Sequence, residues 1–270
     1  MSDDSRLLAS YGPWALITGA SSGIGLALAQ NLAVSGMNLV LVARRLDVLN
    51  SIARELNRTH GVQCLPVGLD LGQASSAAEL DLATAKLDIG LLVAAAGFGT
   101  SGNFLHTDES AEMEMVAVNC VSALALCKRF APRFAARGTG GIVLLSSIVA
   151  FQGVPGAANY AATKAYIQAL AEGLRFDLAG SGVSVLAAAP GPVASAFAAR
   201  AGMQMGQTSS PEEVAKGVLA ALGRRSFVRP GWLSKALGWS LASAPRWART
   251  RIMAGIMRGM IRPPAWVPPS

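Results

Sequence analysis

Short apolar runs alternate with longer segments of mixed polarity from residue 14 to about residue 228. The runs are Trp14–Thr18, Asn38–Ala43, Val62–Leu69, Ile89–Ala95, Gly141–Leu145 and Val183–Ala188. They lack the in–out alternation of a half-exposed strand, and so read as strands buried on both faces of a parallel sheet. The segments between them predict helices over Gly23–Ser35, Leu46–Arg58, a stretch near Ser75–Lys86, Glu109–Arg137 and Ala158–Ala179. Repeated strand–helix–strand units argue for a doubly wound α/β sheet in one domain, residues 1–228. Residues 190–210 are too long for a plain connection and read either as a substrate lid or as partly disordered. Pro211-Glu212-Glu213 opens a further helix, with its acids at the positive helix end.

Composition narrows the class. The chain has 270 residues, 52% of them hydrophobic, and a mean hydropathy of +0.41. The strand candidates are too short to cross a bilayer. Residues 138–163 carry no charge, but Gly, Pro and Ser interrupt them, as in a buried strand followed by an active-site loop. The N-terminus bears Asp3 and Asp4 and no apolar signal segment. Cys64, Cys120 and Cys127 show neither a pairing pattern nor metal-ligand spacing, and His60 and His106 stand alone. A cytoplasmic protein with reduced thiols and no metal site is expected.

The net charge of +7 is concentrated at the C-terminal end. No Asp or Glu occurs after Glu213, whereas the same stretch holds ten Lys and Arg and four of the five tryptophans, Trp232, Trp239, Trp247 and Trp266. Residues 229–270 are therefore read as a basic helical extension. One reading is an interfacial helix pair on an anionic membrane surface, which would make the protein membrane-peripheral. The other is a cap over the substrate pocket or an oligomer interface. Nucleic acid is not an expected partner, since no nucleic-acid-binding module accompanies the charge.

The chemistry sits at three places. Thr18-Gly19-Ala20-Ser21-Ser22-Gly23-Ile24-Gly25 joins the first strand to the first of the predicted helices. Missing side chains let backbone approach a diphosphate, and the helix N-terminus supplies oriented N–H groups. Gly19, Ser21, Ser22, Gly23, Ile24 and Gly25 are thus candidate dinucleotide contacts. The second strand ends in Arg44-Arg45, where an NAD site usually carries an acid. Two guanidinium groups there suit a 2′-phosphate, so NADP(H) is the expected cofactor. Finally, Tyr160 and Lys164 are four residues apart and share a helix face. A free phenol titrates near ~10, and a neighbouring ammonium is expected to bring it down toward working pH.

Taken in order, Thr18–Gly25, Asp70, Asn119, Ser147, Tyr160, Lys164 and Pro190-Gly191 resemble the short-chain dehydrogenase/reductases over about residues 12–228. Ala96–Gly99 adds a likeness to a subgroup of bacterial reductases. The resemblance implies a Rossmann fold with a seven-stranded parallel sheet, a small carbonyl or alcohol substrate, and a homo-oligomer. It further implies that Tyr160 is the catalytic acid/base and that Lys164 binds the nicotinamide ribose and lowers the tyrosine pKa. Ser147, thirteen residues before Tyr160, would hydrogen-bond the substrate oxygen, and Asn119 would complete a water-mediated proton relay. Asp70 would contact the adenine. Gly97, Pro190, Gly191, Val193 and Ser195 would complete the cofactor site. One departure stands out: Ala94-Ala95-Ala96-Gly97 replaces the family's Asn-Asn-Ala-Gly, removing side chains that brace the strand. A non-catalytic NADP-binding sensor is the rival reading, and a hydrophobic or lipid-like substrate fits the apolar lid and the extension.

Overall fold

A computed structural model describes residues 3–261. Seven strands form one parallel sheet: β1 (Trp14–Thr18), β2 (Asn38–Ala43), β3 (Cys64–Gly68), β4 (Ile89–Ala94), β5 (Gly140–Leu145), β6 (Val183–Ala188) and β7 (Phe227–Val228). Their order is β3-β2-β1-β4-β5-β6-β7. The chain reverses its direction of travel between β1 and β4, and the crevice at their carboxyl ends is where such sheets bind ligands.

Burial explains the uniformly apolar strands. Ile17, Leu39, Leu41, Leu91 and Val93 face α2 (Gly23–Val34), α3 (Leu46–His60) and α9 (Pro211–Ala221). Their neighbours Leu16, Val40, Val42, Leu92, Ile142 and Leu144 face α4 (Ser76–Ala83), α6 (Ser122–Arg137) and α7 (Ala158–Asp177). Both faces are dry, so alternation disappears from the sequence.

Four features lie beyond the sequence pattern. A short helix α1 (Asp3–Tyr11) buries Leu7 and Tyr11 and ties Arg6 to the Leu219 and Leu222 carbonyls at 3.0 and 2.8 Å. The expected long helix is α5 (Glu109–Val116), a π-helical turn over Ala117–Val121, and then α6. By length and composition, Glu109–Arg137 would pass for a membrane span. Its inner face, including Leu126, Phe130 and Phe134, instead packs on the sheet. The lid carries a one-turn helix α8 (Phe197–Arg200) and is pinned by bridges Val193 to Ser209 and Met203 to Ile261.

The fourth feature is how the extension folds back. Helices α10 (Trp232–Ala242) and α11 (Arg246–Met260) place Leu241, Met253 and Met257 in an apolar cluster with Val154, Ala157, Ala161, Ala201 and Met203. The inner face of the tail thus caps the pocket. Trp232, Trp239 and Trp247 remain exposed on the outside, while Arg262 and Trp266 lie outside the described residues.

Candidate active site

A cavity of about 610 Å³ opens along the carboxyl ends of the central strands. At one end are Gly19, Ser21, Ser22, Gly23, Ile24 and Gly25 from the β1–α2 turn. Gly19 and Gly23 have φ of 69° and 56°, the left-handed region that favours glycine. A methyl group on Gly25 would collide with the Gly19 carbonyl, and one on Gly23 would stand 3.3 Å from Ser195. Ser22 caps α2 without a side-chain hydrogen bond, leaving the first N–H groups of the helix to a ligand. Arg44, Arg45 and Asp70 line the adjoining rim. Asp70 Oδ1 accepts from the Gly72 N–H at 3.0 Å, which fixes its local turn. Gly97 adjoins the centre, and Pro190, Gly191, Val193 and Ser195 form the opposite wall. A dinucleotide fits this donor set: a side-chain-free bend, a helix N-terminus and a pair of guanidinium groups.

Ser147, Tyr160 and Lys164 meet in the middle of the cavity. Ser147 follows β5 in extended backbone, and its hydroxyl accepts from the Val149 N–H at 3.4 Å. Ser146 serves another purpose: its hydroxyl donates to the Lys164 carbonyl at 3.0 Å, anchoring α7 to the end of β5.

The structure corrects one expectation about this trio. The Tyr160 phenol is not held low by the ammonium. Burial pushes it up to about 12, opposed by the Ser147 hydroxyl. Burial also pulls Lys164 down to about 8. Lys164 Nζ donates to the Leu145 carbonyl at 2.8 Å and stands 5.8 Å from the centre of the Tyr160 ring. The i, i+4 spacing brings the two side chains to one face, as read from the sequence. What it could not convey is that the dry cavity penalises charge on both groups.

Asn119 lies behind the cavity wall, buried on the π-helical turn. Its Oδ1 accepts from the Phe98 N–H at 3.1 Å, and its Nδ2 donates to the Phe98 carbonyl at 2.9 Å and to Thr163 Oγ1 at 3.0 Å. Thr163 in turn donates to the Tyr160 carbonyl at 2.8 Å. The amide thus pins the β4 loop to the helix that carries Tyr160. Thr18 does related work: its Oγ1 accepts from the N–H groups of Ala95 and Ala96 at 3.1 and 3.0 Å. Together they brace the strand end that carries alanines instead of asparagines.

Sequence reading offered the extension as a cap over the pocket and the lid as apolar, but did not assign the residues that line the chamber. Leu237 and Leu241 of α10 and Met253, Ile256, Met257 and Met260 of α11 line it together with Val149, Val154, Phe197 and Met203. The Phe197 ring lies 5.2 Å from that of Tyr160. The available signal was the spacing of Met253, Ile256, Met257 and Met260, one stripe along a helix. Also missed were Glu114 and Arg200 at the cavity rim.

Residues 13–205 match the short chain dehydrogenase family. The chain belongs to that family. It is 33% identical over 180 residues to a 7beta-hydroxysteroid dehydrogenase of Collinsella aerofaciens, covering 67% of this chain and 68% of that one. A structure from work on 7beta-hydroxysteroid dehydrogenase stereoselectivity superposes with a TM-score of 0.84 at 28% identity, covering 92% of this chain and 98% of the other. A short-chain dehydrogenase from Sphingobium yanoikuyae in complex with NADPH superposes with a TM-score of 0.80 at 31% identity, covering 94% and 98%. This short-chain dehydrogenase is accordingly an oxidoreductase of a family that binds NAD(P) and acts on small-molecule substrates.

Proposed function

We propose that this protein interconverts a carbonyl and an alcohol on a bulky, apolar, lipid-like substrate, with NADP(H) as cofactor. The observation that carries the reading is the apolar chamber walled by α10, α11 and the lid, which runs directly into the Ser147–Tyr160–Lys164 cluster. When bound, the cofactor supplies or accepts the hydride. Tyr160, protonated across the working pH range, donates its proton to the substrate oxygen in the reducing direction. Ser147 Oγ orients that oxygen. Lys164, close to its titration point in weakly alkaline solution, restores the proton with water. Asn119 positions this relay, its amide holding Phe98 and Thr163 in place around it. Closing the chamber around an apolar substrate excludes water and strengthens each of these polar contacts. Support for NADP(H) comes from Arg44 and Arg45 on the rim and from the NADPH complex of the Sphingobium yanoikuyae relative.

Replacing Tyr160 by Phe tests the assignment. Oxidation of NADPH by a panel of bulky ketones, long-chain β-keto compounds included, falls by at least about 10²-fold, while a fluorescence titration still reports cofactor binding. Retention of full reductase activity refutes the role of Tyr160.

A second reading concerns the outer face of the extension. We propose that it rests on anionic lipid, because exposed Trp232, Trp239 and Trp247 stand among Lys235, Arg246, Arg251 and Arg258. Ile256 lines the chamber and is also exposed, so the chamber reaches the surface beside these residues. The full chain should float with phosphatidylglycerol vesicles, and Trp239→Ser with Trp247→Ser should not. Equal flotation of the two proteins removes the membrane reading.

A further inference from the structure

The cofactor rim contains an arrangement that neither the family match nor the glycine turn accounts for. Arg44, at the end of β2, directs one guanidinium nitrogen to Glu114 Oε1 at 3.4 Å. Arg200, on lid helix α8, directs one of its own to the same oxygen at 3.3 Å. Two cations therefore converge on a single carboxylate oxygen, and all three residues line the cavity. The Arg200 guanidinium also lies 3.7 Å above the centre of the Phe98 ring. That ring is buried and its backbone is clamped by Asn119, so the lid arginine is held in position over the groove.

We propose that Arg200 is a specificity residue for the cofactor's 2′-phosphate, acting with Arg44 from the opposite side of the groove. This deepens, and rests on, the NADP(H) reading above. The Glu114 oxygen stands where the two guanidinium groups converge, the place a phosphate oxygen would take. A phosphomonoester carries a charge of about −1.5 to −2 and three acceptor oxygens. It can therefore satisfy both arginines at once, where a carboxylate brings one negative charge and offers both arginines a single oxygen. Burial pulls the Arg200 pKa below the usual guanidinium value and the charge of Arg44 pulls the same way, while Glu114 and Asp70 oppose them.

The geometry adds a consequence for the substrate side. Arg200 and Phe197 sit at opposite ends of one helical turn, and Phe197 packs on Tyr160. A phosphate that bridges Arg44 and Arg200 thus ties the sheet to the lid, and through the lid to the wall of the catalytic chamber. NADPH does this and NADH does not.

The test uses the full chain and two probes without a nicotinamide, 2′,5′-ADP and 5′-AMP, titrated calorimetrically, with NADPH and NADH followed by fluorescence. Arg200→Gln is expected to weaken 2′,5′-ADP and NADPH by about tenfold or more, and to leave 5′-AMP and NADH within about twofold. Arg200→Lys keeps the charge but loses the planar fork, and should fall between. Glu114→Gln removes the competing carboxylate and should tighten 2′,5′-ADP and NADPH severalfold with little change for NADH. The inference is overturned if Arg44→Gln is selective for the 2′-phosphate ligands while Arg200→Gln and Arg200→Lys weaken all four ligands alike or none. If Arg44→Gln itself fails to discriminate, the NADP(H) reading falls, and the role of Arg200 falls with it.

Discussion

Replacing Thr18 by valine keeps the branched shape of the side chain and removes one oxygen. That oxygen accepts hydrogen bonds from the N–H groups of Ala95 and Ala96, just past the end of β4. The two losses are unequal. The Ala95 N–H also reaches the Val93 carbonyl at 3.1 Å and keeps a partner. The Ala96 N–H is left to find another partner at a half-buried position on the cavity edge. Leaving one such group unsatisfied costs about 1–3 kcal/mol. Valine gives back little, because Thr18 is already buried. The expected loss is therefore about 2 kcal/mol, measured as a shift of the urea midpoint at unchanged slope. Thr18→Ser retains the oxygen and should lose clearly less. The cofactor site should also suffer, since a methyl group on Gly19 would already stand 3.0 Å from Ala96 and the two segments have no slack between them. A Thr18→Val protein within about 0.5 kcal/mol of the parent would refute the idea that Thr18 replaces the missing asparagines as the brace.

Two other outcomes follow from the site. Burial holds Lys164 to about 8 in the folded protein against 10.5 for the free side chain, so between those values the unfolded chain binds more protons and stability rises with pH. At about 1.4 kcal/mol per pH unit, the gap amounts to roughly 3 kcal/mol, mostly recovered between pH 7.5 and 10 in urea titrations and absent in Lys164→Met. Burial also raises the thiols of Cys64, Cys120 and Cys127 and the Tyr160 phenol, which lowers stability as pH climbs past their free values, so the lysine is read from the difference between the parent and Lys164→Met; a difference that does not grow with pH over that range contradicts the buried lysine. The second outcome concerns the chamber wall: Met257→Trp should lower kcat/KM for bulky ketones by at least about tenfold while sparing small ones. Equal losses on both would place the substrate elsewhere.

Much of the site could be read along the chain because its parts are local. A glycine turn after a strand, a basic pair at the next strand end, and Tyr160 one turn from Lys164 each involve contacts over a few residues, and the structure brings them to one cavity. The π-helical turn at Ala117–Val121 was not legible, since one extra residue in a helix leaves the apolar pattern almost unchanged. Helix α1 was missed because only Leu7 and Tyr11 of its described side chains are buried, too few to set a period. The tail was ambiguous for a different reason. Its Trp and Arg residues suit a membrane, and its Met and Leu residues suit a pocket. Both sets occur on the same two helices, and only their packing separates inside from outside.

Local sequence thus carried the order of most strands and helices, the glycine bend after β1 and the polar side chains that meet in the cavity, because backbone preference and side-chain chemistry act over a few residues. Folding settled the rest. It took the phenol and the ammonium out of water, which moved the phenol pKa further from neutrality and the ammonium pKa toward it. It also set Arg200 against Glu114, 86 residues away along the chain, and turned one side of the C-terminal helices into a chamber wall. Desolvation and long-range contact depend on what lies nearby in space, and chain spacing does not encode that.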